Sequence, residues 1–152
     1  MEDNISAVLL LHNASDPLQA LNQELRALGV RTRQARTCYE ASQLLTDPEP
    51  AEIIFTQTEL PDGNWQDVVH LAEHAPKAVN VIVVSRLVDI RLYVKALQNG
   101  AFDFIAPPFE PSELSHVLLC AAGNVAARRD AQNRAAQLRA PGSEQLPLPV
   151  AS

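Results

Sequence analysis

The stretch VNVIVVSRLVDIRLYVKALQNGAFDFIAPPFEPSEL, residues 79 to 114, decides the architecture. Its opening run of Val and Ile, ending at Ser85, suits a strand covered on both faces. RLVDIRLYVKALQNG then reads as a helix, closed by Asn99 and Gly100. FDFIA is a short strand, and PPFEPSEL turns into another helix. Strand, helix and strand joined by short links predict a parallel pair with a right-handed crossover.

The same alternation runs back to the amino terminus. AVLLL (7–11) is a buried-type strand, and Ser15, Asp16 and Pro17 open a helix striped by Leu18, Leu21, Leu25 and Leu28 and stopped at Gly29. VRTRQA is a polar strand for a sheet edge, and Thr37 with Glu40 forms a capping box before a second helix. AEIIFT is the third strand; LPDG (60–63) fits a type I turn, and Trp65, Val68, Val69 and Ala72 line a third helix. Five strands thus alternate with five helices, an α/β doubly wound parallel sheet. In such sheets the working site lies beyond the carboxyl ends of the strands.

Composition bounds the function. The chain has 152 residues, 47% apolar and 20% charged, with a net charge of −6 and pI near 5.1. That is a globular domain with an acidic balance, which disfavours direct nucleic-acid contact. No run approaches a membrane span or a signal peptide, so a cytoplasmic protein with no membrane contact is expected. Cys38 and Cys120 follow no metal-ligand spacing and are expected to be buried and inert.

The strand ends are His12 and Asn13, Gln57, Ser85, and Ala106 before Pro107 and Pro108. With these in view, residues 6 to 122 resemble the receiver domain of bacterial two-component response regulators. SRLVDIRLYVKALQNGAFDFIAPPFEPSEL resembles the family's hydroxyl residue, helix, Gly-Ala-x-Asp-aromatic, Lys-Pro-Phe and last helix; ELPDG resembles the turn after the phosphoacceptor. The resemblance implies a flavodoxin-like sheet of order 2-1-3-4-5 and a cis bond between Pro107 and Pro108. It also implies Ser85 and Phe104 as the switch pair.

The departures carry the functional expectation. The family's phosphoacceptor Asp falls on Gln57, its acidic metal pair on His12 and Asn13, and its Lys on Pro107; only the hydroxyl, Ser85, is kept. Aspartyl phosphorylation needs an ionised carboxylate as nucleophile, and a carboxamide supplies none. Mg²⁺ needs hard anionic oxygens, and phosphoryl transfer needs positive charge on the moving oxygens. His12, Asn13, Gln57, Ser85 and Pro107 therefore form a degenerate pocket, with no catalytic residue, no metal and no cofactor expected.

Other residues have ordinary readings. Ser85 is expected to cap the fourth helix, His12 to be a satisfied pocket histidine, and Glu59 to be solvated. His70 and His74 stand four apart on one helix without a zincin glutamate motif, so no metal is assigned to them. On the fourth helix, Leu87, Ile90, Tyr93, Val94 and Leu97 are expected to dock on the sheet, leaving Val88, Leu92 and Ala96 as a second stripe. An interaction surface is accordingly placed at Val88, Arg91, Leu92, Lys95 and Phe104. Leu114, Leu118, Ala121 and Val125 seat the last helix, whose pattern fades beyond.

The resulting expectation is a receiver-like domain over 1–122, a helical extension over 123–139 and a disordered tail over 140–152. Its function is non-enzymatic signalling through protein contacts, with a sensor kinase or output protein as partner, or a homodimer through the fourth helix, fifth strand and fifth helix or through the C-terminal helix. Two alternatives stand: the receiver part of a transcription regulator whose DNA-binding portion lies elsewhere, and a small-ligand-binding flavodoxin-like module. The last has no Gly-rich phosphate loop and no base–nucleophile pair to support it.

Overall fold

Every side chain of the strand Asn80–Val84 is buried, which requires cover on both faces of the sheet. The chain supplies that cover in a computed structural model that describes residues 5–10 and 17–139. In order, the elements are β1 (Ser6–Leu10), α1 (Pro17–Ala27), β2 (Arg31–Ala35), α2 (Cys38–Leu44), β3 (Ile53–Thr56), β4 (Glu59–Leu60), β5 (Gly63–Asn64), α3 (Trp65–Glu73), β6 (Asn80–Val84), α4 (Ile90–Gln98), β7 (Asp103–Ile105) and α5 (Pro111–Leu138). Five strands form one parallel sheet of order β2-β1-β3-β6-β7, and β4 with β5 is a small antiparallel hairpin. Counting only the main sheet, this is the expected 2-1-3-4-5 order.

The strands' alternation divides the interior in two. Val8, Leu10, Ile54, Val81 and Val83 face a cluster closed by α2, α3 and α4. Ala7, Leu9, Ile53, Phe55, Ile82 and Val84 face the other, closed by α1 and α5. The polar edge strand is β2, with three of its five residues exposed. Leu18, Leu21 and Leu25 bury α1, and Gly29, at a φ of 86°, ends its turn where other residues would be strained.

Local chemistry sets several helix starts differently from the sequence reading. Thr37 Oγ1 accepts from Glu40 N at 3.0 Å, but Glu40 returns its bond to Arg36 N at 2.8 Å, so the box at α2 is displaced by one residue. A complete capping box instead opens α3, from Asn64 and Asp67. Asp89 caps α4, its Oδ1 accepting from Leu92 N at 3.2 Å, so the helix begins at Ile90 and Ser85 is too early to cap it. Cys38 is buried as expected, whereas Cys120 is exposed on the outer side of α5.

The docking face of α4 is the reverse of the expected one. Ala96 is fully buried and Leu92 is half buried against the core, while Leu87, Ile90, Tyr93, Val94 and Leu97 lie outward. A small residue lets the helix approach the sheet closely, so the narrow Leu92–Ala96 stripe wins over the bulkier one.

Polar contacts replace the fading apolar stripe along α5. Arg129 donates from Nε to Ala78 O at 2.9 Å and from Nη2 to Ala51 O at 2.9 Å and Pro50 O at 3.3 Å. Gln132 Oε1 accepts from Ala78 N at 3.0 Å. The helix is therefore tied to the domain well past residue 122, along the stretch read as its extension. Asn80, a buried amide in β6, donates from Nδ2 to Ala121 O and Asn124 Oδ1, and its Oδ1 accepts from Arg128 Nη1 at 2.7 Å. The expected tail, 140–152, lies outside the described residues.

Candidate functional site

The carboxyl rim of the sheet is assembled by register. Leu10 pairs with Thr56, Thr56 with Val83 and Val84 with Ile105, so the residues just beyond them share one edge. Gln57 N extends the β1 pairing to Leu10 O at 3.4 Å, and Ser85 N donates to Ile105 O at 3.0 Å. Gln57 and Ser85 are brought to this edge together with Pro107, two residues past β7. His12 and Asn13 lie outside the described residues.

Gln57 is half buried, and its Nε2 donates to Glu59 O at 2.8 Å, turning the side chain toward the hairpin. The Thr56 hydroxyl, fully buried, donates to Gln57 O at 2.9 Å. Ser85 Oγ accepts from Leu87 N at 3.4 Å in the loop before α4. The Pro107–Pro108 bond is cis, as the resemblance implied, and both rings are exposed.

The acids near this rim serve other purposes. Asp62, in the hairpin turn, accepts from Cys38 N at 2.8 Å and Tyr39 N at 3.1 Å, capping α2 from outside its own segment. Those amides, Cys38's first, hold its carboxyl below the usual range. Asp67 accepts from Asn64 N, and Asp89 caps α4. Glu59 is exposed on the hairpin, as expected. Burial, and then the neighbouring Asp62 carboxylate, push the Cys38 thiol up to about 11, so it is protonated and unreactive at neutral pH.

Beside the rim, α4 and β7 enclose an apolar hollow of about 280 Å³ lined by Val88, Ile90, Tyr93, Phe104 and Ala106. Phe104 forms its floor at 8% exposure, and Tyr93 meets it edge-on, with centroids 6.0 Å apart at 82°. Of the expected surface, Val88, Arg91 and Lys95 are exposed, while Leu92 and Phe104 turn inward and are not open to a partner at the outer face. Tyr93 and Ile90 were missed as surface residues. Their signal was present in the sequence as an apolar stripe, but it was assigned to the inside.

Among the described residues, three metal-ligating side chains gather in one place, His70, Glu73 and His74 at the end of α3 and away from this rim. No helix among those residues is long and apolar enough to cross a membrane.

Comparison with known proteins agrees with this architecture. The family model for the response regulator receiver domain matches residues 8–119. The response regulator protein PilR of Pseudomonas aeruginosa is 28% identical over 113 residues, covering 74% of this chain and 25% of PilR. TodT of Pseudomonas putida, also a response regulator protein, is 27% identical over 117 residues, covering 75% of this chain and 50% of TodT. The chain thus spans a quarter to a half of the length of these relatives. A putative response regulator from Chloroflexus aurantiacus superposes with a TM-score of 0.69 at 21% identity, over 78% of this chain and 98% of that one. The beryllofluoride-activated NtrC4 receiver domain dimer superposes with a TM-score of 0.64 at 22% identity, over 79% and 98%. With the family model matching residues 8–119, more than half of its length, and the sheet order as expected, this chain belongs to the response regulator receiver domain family.

Proposed function

We propose that this receiver is atypical: a non-enzymatic, cytoplasmic signalling module that works through protein contacts and without aspartyl phosphorylation. The observation that carries the reading is Gln57, a carboxamide tied to Glu59 O at the position where the family pattern places its phosphoacceptor. A neutral amide offers no anionic oxygen to attack a phosphoryl group. Pro107 offers no cation at the place of the family's lysine, and His12 and Asn13 are poor ligands for magnesium. Ser85 keeps a switch-type hydroxyl, and Phe104 is buried.

The contact surface is the outer face of α4 with the hollow above Phe104. Val88 is 74% exposed and Ile90 68%, too much contiguous apolar area for a helix face meant only for water. Arg91 and Lys95 flank it and suit an acidic rim on the partner. The partner is a sensor kinase, an output protein or a second copy of the chain; the NtrC4 receiver is itself a dimer. A second reading, the receiver part of a transcription regulator, is supported by similarity to the DNA-binding transcriptional regulator NtrC of Azospirillum brasilense, 31% identical over 101 residues that cover 64% of this chain and 20% of NtrC.

Amide NMR spectra recorded with Mg²⁺ and beryllofluoride test the central point. The native protein should show no saturable shift, because His12, Asn13, Gln57 and Pro107 offer neither a carboxylate for the metal nor a lysine for the phosphoryl mimic. Gln57→Asp alone should stay silent too, since the cation and metal pair are still missing. Saturable shifts at Ser85 and Phe104 in the native chain would overturn the proposal.

A further inference from the structure

The last turn of α3 reads His70-Leu71-Ala72-Glu73-His74, and helical geometry stacks positions 70, 73 and 74 on one side. All three are exposed, and one donor atom from each lies within 4.8 Å of the other two. The two imidazole rings stand 4.4 Å apart between centroids, tilted by 47°. His74 Nδ1 lies 3.0 Å from His70 O. A carbonyl can only accept, so Nδ1 carries the proton and the lone pair is on Nε2. Proteins orient ligating histidines by this kind of bond.

Glu73 is placed by the turn after α4. Its Oε2 lies 3.0 Å from where a Cβ on Gly100 would stand, and Gly100 has a φ of +108°, a conformation that itself favours glycine. The space beside the carboxylate is therefore kept open. Lys77, three residues past His74, is engaged elsewhere, its Nζ donating to Pro48 O at 2.7 Å.

We infer that His70, Glu73 and His74 form a binding site for a borderline-soft divalent cation, Zn²⁺ or its neighbours Ni²⁺ and Cu²⁺. Two imidazoles and one carboxylate suit these ions, whereas Mg²⁺ prefers oxygen ligands throughout. Bonds of about 2.0–2.2 Å in a tetrahedral shell set neighbouring donors about 3.3–3.6 Å apart. The donors stand within 4.8 Å of one another, so side-chain rotation suffices to close on an ion. The carbonyl end of α3 adds its negative dipole. Trp65, Val68, Val69 and Ala72 anchor the helix, so the ligands are presented on a rigid element. The site owes nothing to the rim around Gln57, and water completes the shell.

Calorimetric titration of the full chain with Zn²⁺, after chelator stripping, tests it. One saturable site is expected, weakened about tenfold or more by His70→Ala or His74→Ala and abolished by the pair together. Glu73→Gln should weaken it less. Because the three side chains are exposed, the metal-free double variant should melt like the native protein. Co²⁺ in place of Zn²⁺ should give d–d bands without a thiolate charge-transfer band. Absence of saturable binding would overturn the site. So would binding undiminished in the double variant, or a thiolate band removed by Cys120→Ala, which would assign the metal to Cys120 and its neighbour His116, 3.6 Å away.

Discussion

Asp62 belongs to a hairpin turn yet serves α2, its two carboxylate oxygens holding the amides of Cys38 and Tyr39. Its carboxyl is lowered in the folded chain by those amides, so the folded state prefers the charged form more than the unfolded chain does. That contribution is fully present above the unfolded carboxylate range, about pH 3.9, and is lost as pH falls through the folded value. Asp62→Asn should therefore melt below the native protein at neutral pH. The gap should be modest, since the carboxylate is exposed, and should close below about pH 4. Thermal melts at a series of pH values check this; a gap that persists in acid would mean the loss is steric. Single residues were legible where the resemblance reached them, as with the cis bond of the Pro107–Pro108 pair. They were not legible where a nearby competitor decides: Ser85 yields the α4 cap to Asp89, four positions on.

At the scale of elements, the periodicity of α4 was read correctly and its facing was not. Two apolar stripes compete on that helix, and choosing between them requires knowing how close β7 comes, which is tertiary information. The far part of α5 posed the opposite difficulty: its sequence turns polar, yet it remains held, because backbone carbonyls of other segments are its partners. Arg129 is partly buried, and burial lowers its pKa, but it remains a cation at neutral pH and donates to three carbonyls. Arg129→Ala should cost about 1.5–3 kcal/mol, the range for hydrogen bonds to a charged group. Denaturant unfolding measures it. Amide exchange in α5 beyond Val125 should accelerate in the variant; unchanged protection there would show that the apolar positions hold the helix alone.

For the molecule as a whole, a parallel sheet with helices on both faces followed from alternation and short links, while the strand order followed from the resemblance to receiver domains. The rim could be located from strand ends, but Asp62, Asp67 and Asp89 had to be seen in place before their carboxylates could be set aside. The outer face of α4 is the main apolar exposure on the side closed by α2 and α3. Val88→Asp with Ile90→Lys should leave stability within about 0.5 kcal/mol, as expected for side chains already in water. The same change should abolish partner binding in a pull-down or self-association in sedimentation. A large loss of stability would show that this face packs within the domain.

The buried amide of Asn80 bears on how such a domain could transmit a signal. Its donors and acceptor are matched to Ala121, Asn124 and Arg128, spread over two turns of α5. A ratchet of the helix by one turn, about 5.4 Å, would strand that amide in an apolar interior. The axial coordinate of α5 is thereby indexed like a detent, and whatever travels along it must do so by tilt or roll about a fixed notch.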